Sequence, residues 1–160
     1  MRDTAIIDID GVLSDHWDQI RTAYREINRK GLRPEEFDWS QFALDSVDNP
    51  PIEHGIELTK ELEKLPLKLV FVTGRREIAR NSTRRWLIGH GFQEPRLYMR
   101  PNDYRGTDVD FKECVLLQKV TLSSVYIALE DRGSVIDMYH RHGVTVLPFP
   151  DKFKYEETRI

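Results

Sequence analysis

Short runs of Val, Ile, Leu and Phe recur along this chain, separated by segments whose apolar residues fall at helical spacing. Runs that are apolar on consecutive positions read as strands buried on both faces, the form taken by strands of a parallel sheet. Strands are therefore expected over Thr4–Ile9, Leu67–Thr73, Leu97–Arg100, Ser124–Leu129 and Val144–Phe149. Helices are expected over Asp15–Lys30, Ile52–Lys64, Glu77–His90, Val109–Val120 and Ser134–His142, with Gly31 and Gly91 as stop signals. The stretch Leu32–Pro51 is punctuated by Pro34, Pro50 and Pro51 and reads as irregular. Strict alternation of strand and helix predicts the α/β class: a Rossmann-like, mainly parallel sheet with helices on both faces. Residues 14–51 form an insertion after the first strand, and 160 residues suit a single domain, 1–160. The polar tail from Asp151 is expected to be loosely held.

Bulk properties remove several classes of function. A net charge of −3 provides no global field for nucleic acid or an anionic membrane, although a local basic groove remains compatible with it. A single cysteine, Cys114, excludes a disulfide framework and a thiolate cluster; its helical run suggests a small buried hydrophobe. The start reads as a strand and not a leader, and no apolar run approaches a membrane span, so a cytoplasmic location without membrane partners is expected. Oligomeric state is not legible.

In parallel α/β sheets ligands bind beyond the carboxyl ends of the strands, so the residues there matter most. Asp8, Asp10 and Gly11 follow the first strand; Thr73, Gly74 and Arg75 the second; Glu130, Asp131 and Arg132 the fourth. Lys112 stands near the start of the helix that precedes the fourth strand. Carboxylates beside a lysine and a threonine hydroxyl suit a hard cation, normally Mg²⁺, and the charge distribution of phosphoryl transfer. Because the chain turns at Gly11, Asp8 and Asp10 can divide the work, one attacking phosphorus and the other managing a proton. An Asp-x-Asp-Gly alone is also an ordinary strand end entering a turn.

Asp8-Ile9-Asp10-Gly11-Val12-Leu13, Thr73-Gly74-Arg75, Lys112 and Glu130-Asp131 resemble, in order, the four motifs of the haloacid dehalogenase superfamily of phosphohydrolases. The resemblance implies a haloacid dehalogenase-like fold in which the insertion acts as a small cap. It implies Asp8 as nucleophile and metal ligand, Asp10 as general acid then base with its carbonyl on Mg²⁺, and Asp131 as metal ligand. Thr73 would bind phosphoryl oxygens and Lys112 would neutralise charge. Glu130 stands where Asp is commoner and would act through a metal-bound water. The run from Thr83 to Met138, including Trp86-Leu87, His90-Gly91-Phe92, Asp103-Tyr104-Arg105, Asp108 and Arg132, is similar to the 3′-phosphatase domain of phage polynucleotide kinase-phosphatases. That likeness adds Arg75 and Arg132 as phosphate or substrate contacts and Asp108 as a partner of Lys112. It implies a nucleotide or a nucleic acid 3′-end phosphate as substrate, in a host cytoplasm if the chain is phage-encoded. No Gly-x-x-x-x-Gly-Lys-Ser/Thr loop occurs, so the likeness does not extend to a kinase half.

Other features carry competing readings. His16 lies close enough to the first motif to touch substrate, and Gly74 permits a tight approach to phosphate. Trp17, Trp39 and Phe42 could stack on a base, although aromatics in small domains are mostly core. Arg76, Arg80 and Arg84 share a helical face that could follow a phosphate backbone, but a solvated face is the plainer reading. A 5′-nucleotidase acting on free mononucleotides is the alternative enzyme. A phospho-accepting receiver module uses similar residues, but its motif order differs from the one here.

Overall fold

The computed structural model describes residues 1–152, so most of the tail from Asp151 lies outside the described residues. Strands β1 (Thr4–Ile7), β2 (Lys68–Arg76), β3 (Arg96–Arg100), β4 (Val125–Glu130) and β5 (Val146–Pro148) form one sheet in the order β3-β2-β1-β4-β5. Every pairing in it is parallel. Six α-helices join them among the described residues: α1 (Trp17–Lys30), α2 (Trp39–Asp45), α3 (Glu53–Glu63), α4 (Arg80–Gly89), α5 (Asp108–Gln118) and α6 (Gly133–Arg141). The order reverses direction at β1, which has β2 on one side and β4 on the other. That is the topological switch point, where the strand ends leave a crevice for ligand.

Strand alternation divides the core between the two faces of the sheet. Ala5, Ile7, Phe71 and Leu129 pack with Ile56 of α3 and with Trp86 and Leu87 of α4. Ile6, Val70, Val72 and Ala128 pack with Phe111, Val115 and Leu116 of α5 and with Val135, Met138 and Tyr139 of α6. Asp8 follows Ile6 at strand parity, which directs it toward the face covered by α5, the helix that carries Lys112.

Several boundaries differ from expectation for local reasons. β1 ends at Ile7 and not Ile9, because the Ile9 carbonyl accepts the N–H groups of Val12, Leu13 and Ser14 (3.3, 2.8 and 2.9 Å) and turns the chain. β2 continues past Gly74 to Arg76, with a register irregularity between Thr73 and Arg76 that lets Arg76 pair with Arg100. The segment 32–51 is not irregular throughout: it contains α2, flanked by short 3₁₀ turns at Pro34–Glu36 and Ser46–Asp48. Asp38 caps α2, its carboxylate accepting the N–H groups of Ser40 and Gln41 at 3.0 and 3.4 Å. Cys114 is half-buried and not a core residue.

Removing the Leu87 side chain, which is fully buried, leaves a void that the α4–sheet contact cannot close. Leu87→Ala is expected to lower unfolding free energy by about 2–5 kcal/mol in urea titrations, whereas Leu117→Ala should change it by less than about 0.5 kcal/mol. Leu117 is 53% exposed.

Candidate active site

The turn after β1 is built to place Asp8 and Asp10 differently. Gly11 takes φ +87°, a backbone conformation that L side chains rarely adopt, and its N–H donates to the Ser14 carbonyl at 2.9 Å. A Cβ on Gly11 would lie 1.9 Å from Asp131 Oδ2. Glycine is thus required twice, for the turn itself and for the approach of Asp131 to the first loop.

Asp8 and the fourth-strand acids meet at the sheet edge, where each of Asp8, Glu130 and Asp131 offers a carboxylate oxygen within 4.8 Å of the others. Lys112 rises between them from α5, 2% exposed. Its Nζ lies 2.8 Å from Glu130 Oε2, 3.1 Å from Asp8 Oδ2 and 3.6 Å from Asp108 Oδ2. Burial disfavours its charge, but these carboxylates hold it protonated, well above the ordinary lysine range. One ammonium does not balance the acids. Burial and the neighbouring Glu130 charge push Asp8 well above the usual carboxylate range. Burial and Asp8 push Asp131 up to about 7. A cluster of hard oxygens that cannot all ionise is short of positive charge, and a divalent cation supplies that charge. The donor set therefore fits a metal, and Asp8 and Asp131 have oxygens close enough to share one.

Glu130 has its oxygens engaged within the protein. Oε2 takes Lys112, and Oε1 accepts the N–H groups of Asp131 and Arg132, each at 3.1 Å. It fixes the lysine and the turn into α6 at the same time. Asp108 reaches both Lys112 and Arg132, the latter at 3.7 Å, and lies over Gly74, where a Cβ would sit 2.3 Å from Asp108 Oδ1. That Oδ1 is buried and has no hydrogen-bond partner among the described residues.

Asp10 is held apart from this group by Arg75. The guanidinium binds it in a fork, Nε to Oδ2 at 2.9 Å and Nη2 to Oδ1 at 2.7 Å. Nη2 also donates to Ser14 Oγ at 3.1 Å and Nη1 to Thr83 Oγ1 at 3.4 Å. The Arg75 side chain is 1% exposed. Expected as a phosphate contact, it is occupied in orienting Asp10. Although burial opposes ionisation, Arg75 keeps the Asp10 carboxyl below its usual range. Thr73 is fully buried, and its hydroxyl oxygen accepts the Arg75 N–H at 3.2 Å, which leaves its own proton to donate.

Asp8, Asp10, Gly74, Arg75, Asp108, Lys112, Glu130, Asp131, Arg132 and His16 all line one cavity of about 840 Å³; Thr73, fully buried, is not among its lining residues. Burial holds the His16 imidazole below its ordinary value, against the pull of Asp10. Arg132 is half exposed at the rim, beside Arg76, Arg100 and Arg105. Arg76 does not lie on a solvated face with Arg84: it donates to the carbonyls of Pro101, Asn102 and Tyr104 and shapes the loop after β3. Ser14, Ser46 and Thr83 were not read as site residues, although all three support Arg75. Only their position four residues past Asp10, or opposite the Arg75 head group in space, distinguishes them, and the second signal is invisible in a sequence.

Fold and site together define a haloacid dehalogenase-type hydrolase. Over residues 2–150 the chain matches the family described as the polynucleotide kinase PNKP phosphatase domain, and it belongs to that family of phosphatases. Among solved structures it is similar to a chain of the Pnkp1/Rnl/Hen1 complex, with 20% identity, TM-score 0.71 and 94% of this chain covered. It spans 47% of that chain, and 44% of its match in the Pnkp1/Rnl/Hen1 RNA repair complex. It is also similar to a haloacid dehalogenase-like hydrolase from Streptococcus pneumoniae, with 16% identity, TM-score 0.62, and 98% and 90% of the two chains covered. The class C acid phosphatase from Bacillus anthracis with tungstate bound gives 13% identity and TM-score 0.64 over 94% of this chain and 67% of its own. At these identities the structural likeness carries the fold. No curated protein matches the chain, and no helix among the described residues is long and apolar enough to cross a membrane.

A cation that binds the folded site alone stabilises the fold by mass action. Mg²⁺ at about 100 times its dissociation constant is expected to add about 2.7 kcal/mol, read as a rise in melting temperature. Asp131→Asn should remove most of that rise; an equal rise in wild type and variant would show that the ion binds elsewhere.

Proposed function

We propose that the chain is a Mg²⁺-dependent phosphomonoester hydrolase that acts through an aspartyl phosphate on Asp8, with the 3′-phosphate of a nucleic acid end or nucleotide as substrate. One observation carries the reading: Asp8 lies beside Lys112 and Asp131 in a cavity that Arg105 and Arg132 also line. Asp8 and Asp131 would hold the metal, with Glu130 acting through Lys112 and the backbone, and Asp10 contributing its carbonyl. Bound there, Mg²⁺ supplies charge to the phosphoryl oxygens and to the attacking carboxylate.

The protein groups divide the chemistry. An Asp8 oxygen attacks phosphorus, the P–O bond to the sugar breaks, and Asp10 donates a proton to the departing oxygen. Asp10 then takes a proton from the water that attacks the aspartyl phosphate, releasing phosphate and restoring Asp8. Arg75 keeps Asp10 ionised in the free enzyme, the state this second step requires. A phosphate dianion entering beside it raises its proton affinity, so Asp10 takes a proton from solvent before the first step and recovers one from water in the second. Lys112 and the Thr73 hydroxyl face charge that grows as the phosphoryl group transfers. Arg105 and Arg132 also line the cavity, and a further phosphate of a polynucleotide end would meet them, which supports such an end over a free mononucleotide.

Three measurements test this. Phosphate release should be faster from 3′-phosphorylated oligonucleotides than from 5′-mononucleotides; the opposite preference would replace the substrate reading with a nucleotidase. Asp10→Asn should lower kcat by about 10²–10⁴-fold with the fold intact. Arg75→Lys should also lower kcat while sparing KM, because a single ammonium cannot reproduce the fork that orients Asp10. If Arg75→Lys raised KM alone, Arg75 would be a substrate contact instead.

A further inference from the structure

The cavity has a wall that phosphate chemistry does not need. Trp17, Ile20 and Tyr24 recur at spacings of three and four on α1, and Trp39, Phe42 and Ala43 do so on α2. Each set shares one helical face, and both faces line the cavity that holds Asp8 and Asp131. The two helices are tied together on the same side. Gln19 donates to the Phe42 carbonyl at 2.6 Å and accepts from Asn49 at 2.6 Å and from the Ser46 hydroxyl at 3.1 Å.

Trp39 is the fixed part of this wall. Its indole N–H donates to the Pro34 carbonyl at 2.7 Å. Phe37, Phe42 and Tyr24 meet it with ring centroids 4.8, 5.2 and 6.3 Å away and planes inclined at 62° to 71°. Edge-to-face contacts on several neighbours set the plane of the ring before any ligand arrives. The base of the cap is fixed to the catalytic turn as well: Ser14 bridges to Pro51, the Ile52 N–H donates to the Leu13 carbonyl at 2.7 Å, and Arg75 reaches the Ser46 carbonyl at 3.5 Å. A rigid aromatic surface is therefore held at a set position relative to Asp10.

We infer that this wall, centred on Trp39, is a stacking subsite for the base of the nucleoside whose phosphate Asp8 attacks. The inference rests on the phosphatase reading of Asp8 and states what the substrate carries beyond its sugar. Three facts select this occupant. The wall is continuous with the carboxylates, so the ligand must join a phosphoester to an apolar ring. A cavity of about 840 Å³ is large for phosphate and sugar alone. Stacking on pinned rings reads the face of a base and not its edge, so all four bases are accepted.

The test compares a 3′-phosphorylated oligonucleotide with its counterpart lacking only the terminal base, alongside O-phosphotyrosine. The base should raise kcat/KM by about 5- to 150-fold, mostly through KM, for each of the four bases. Trp39→Ala should bring the ratio between the two oligonucleotides toward one, and Trp39→Phe should restore most of it. Equal kcat/KM with and without the base in the wild type overturns the inference, as does preference for O-phosphotyrosine over every nucleotide. If Trp39→Ala fails to fold, the wild-type comparison stands, joined by tryptophan fluorescence of Asp8→Asn titrated with a nucleoside 3′-phosphate and with the base-free sugar phosphate. Quenching by the first alone supports the subsite, and equal responses overturn it. Turnover of neither oligonucleotide would count against the phosphatase reading, and the fluorescence titration would still decide the subsite.

Discussion

The buried ammonium of Lys112 is the contact on which the active end of this molecule depends. It joins α5 to the ends of β1 and β4 through Asp8 and Glu130, at 3.1 and 2.8 Å. Removing it would leave carboxylates buried at close range without compensation, a cost of several kcal/mol at such sites. Glu130 extends the same network into the backbone, since the oxygen not bound to Lys112 receives the N–H groups that set the turn into α6. The position of Asp131, and its close approach to Gly11, follows from that turn. The residual excess of negative charge is what a bound divalent cation would offset.

A second ionic contact works separately. Arg75 and Asp10 form a forked pair, supported by Ser14, Thr83 and the Ser46 carbonyl. Two carboxylates two residues apart in sequence thus occupy opposite electrostatic settings. Asp8 is pressed toward its neutral form by burial and neighbouring acids, and Asp10 is kept ionised by a guanidinium. Alone, these settings are the reverse of a nucleophile and a proton donor, so the proposed roles need added positive charge beside Asp8 and a proton on Asp10.

The sheet and most of the acids were legible in the sequence because both have local signals. Consecutive apolar residues at 5–7 and 69–72 permit little besides buried strands, and the chemistry-bearing residues follow them directly. The ion pair of Arg75 with Asp10 was not legible, since a position directly after Thr73 suggests a ligand contact and Asp10 is 65 residues away. The helix α2 was hidden for another reason. Seven residues between proline-marked turns are too few to show periodicity, and the informative sign was Asp38 standing as an N-cap. Gly74 misled because glycine commonly ends a strand; here it leaves room for Asp108 within a strand that continues. Glu130 was read through its carboxylate alone, whereas its nearest partners are Lys112 and two backbone amides.

The central claim is that Asp8 receives the phosphoryl group. Acid quenching during turnover, followed by mass spectrometry of the peptide containing Asp8, tests it most directly. The account predicts one added phosphoryl group on Asp8 that hydroxylamine removes. A phosphoryl group on another residue, or turnover at the wild-type rate by Asp8→Asn, would contradict it.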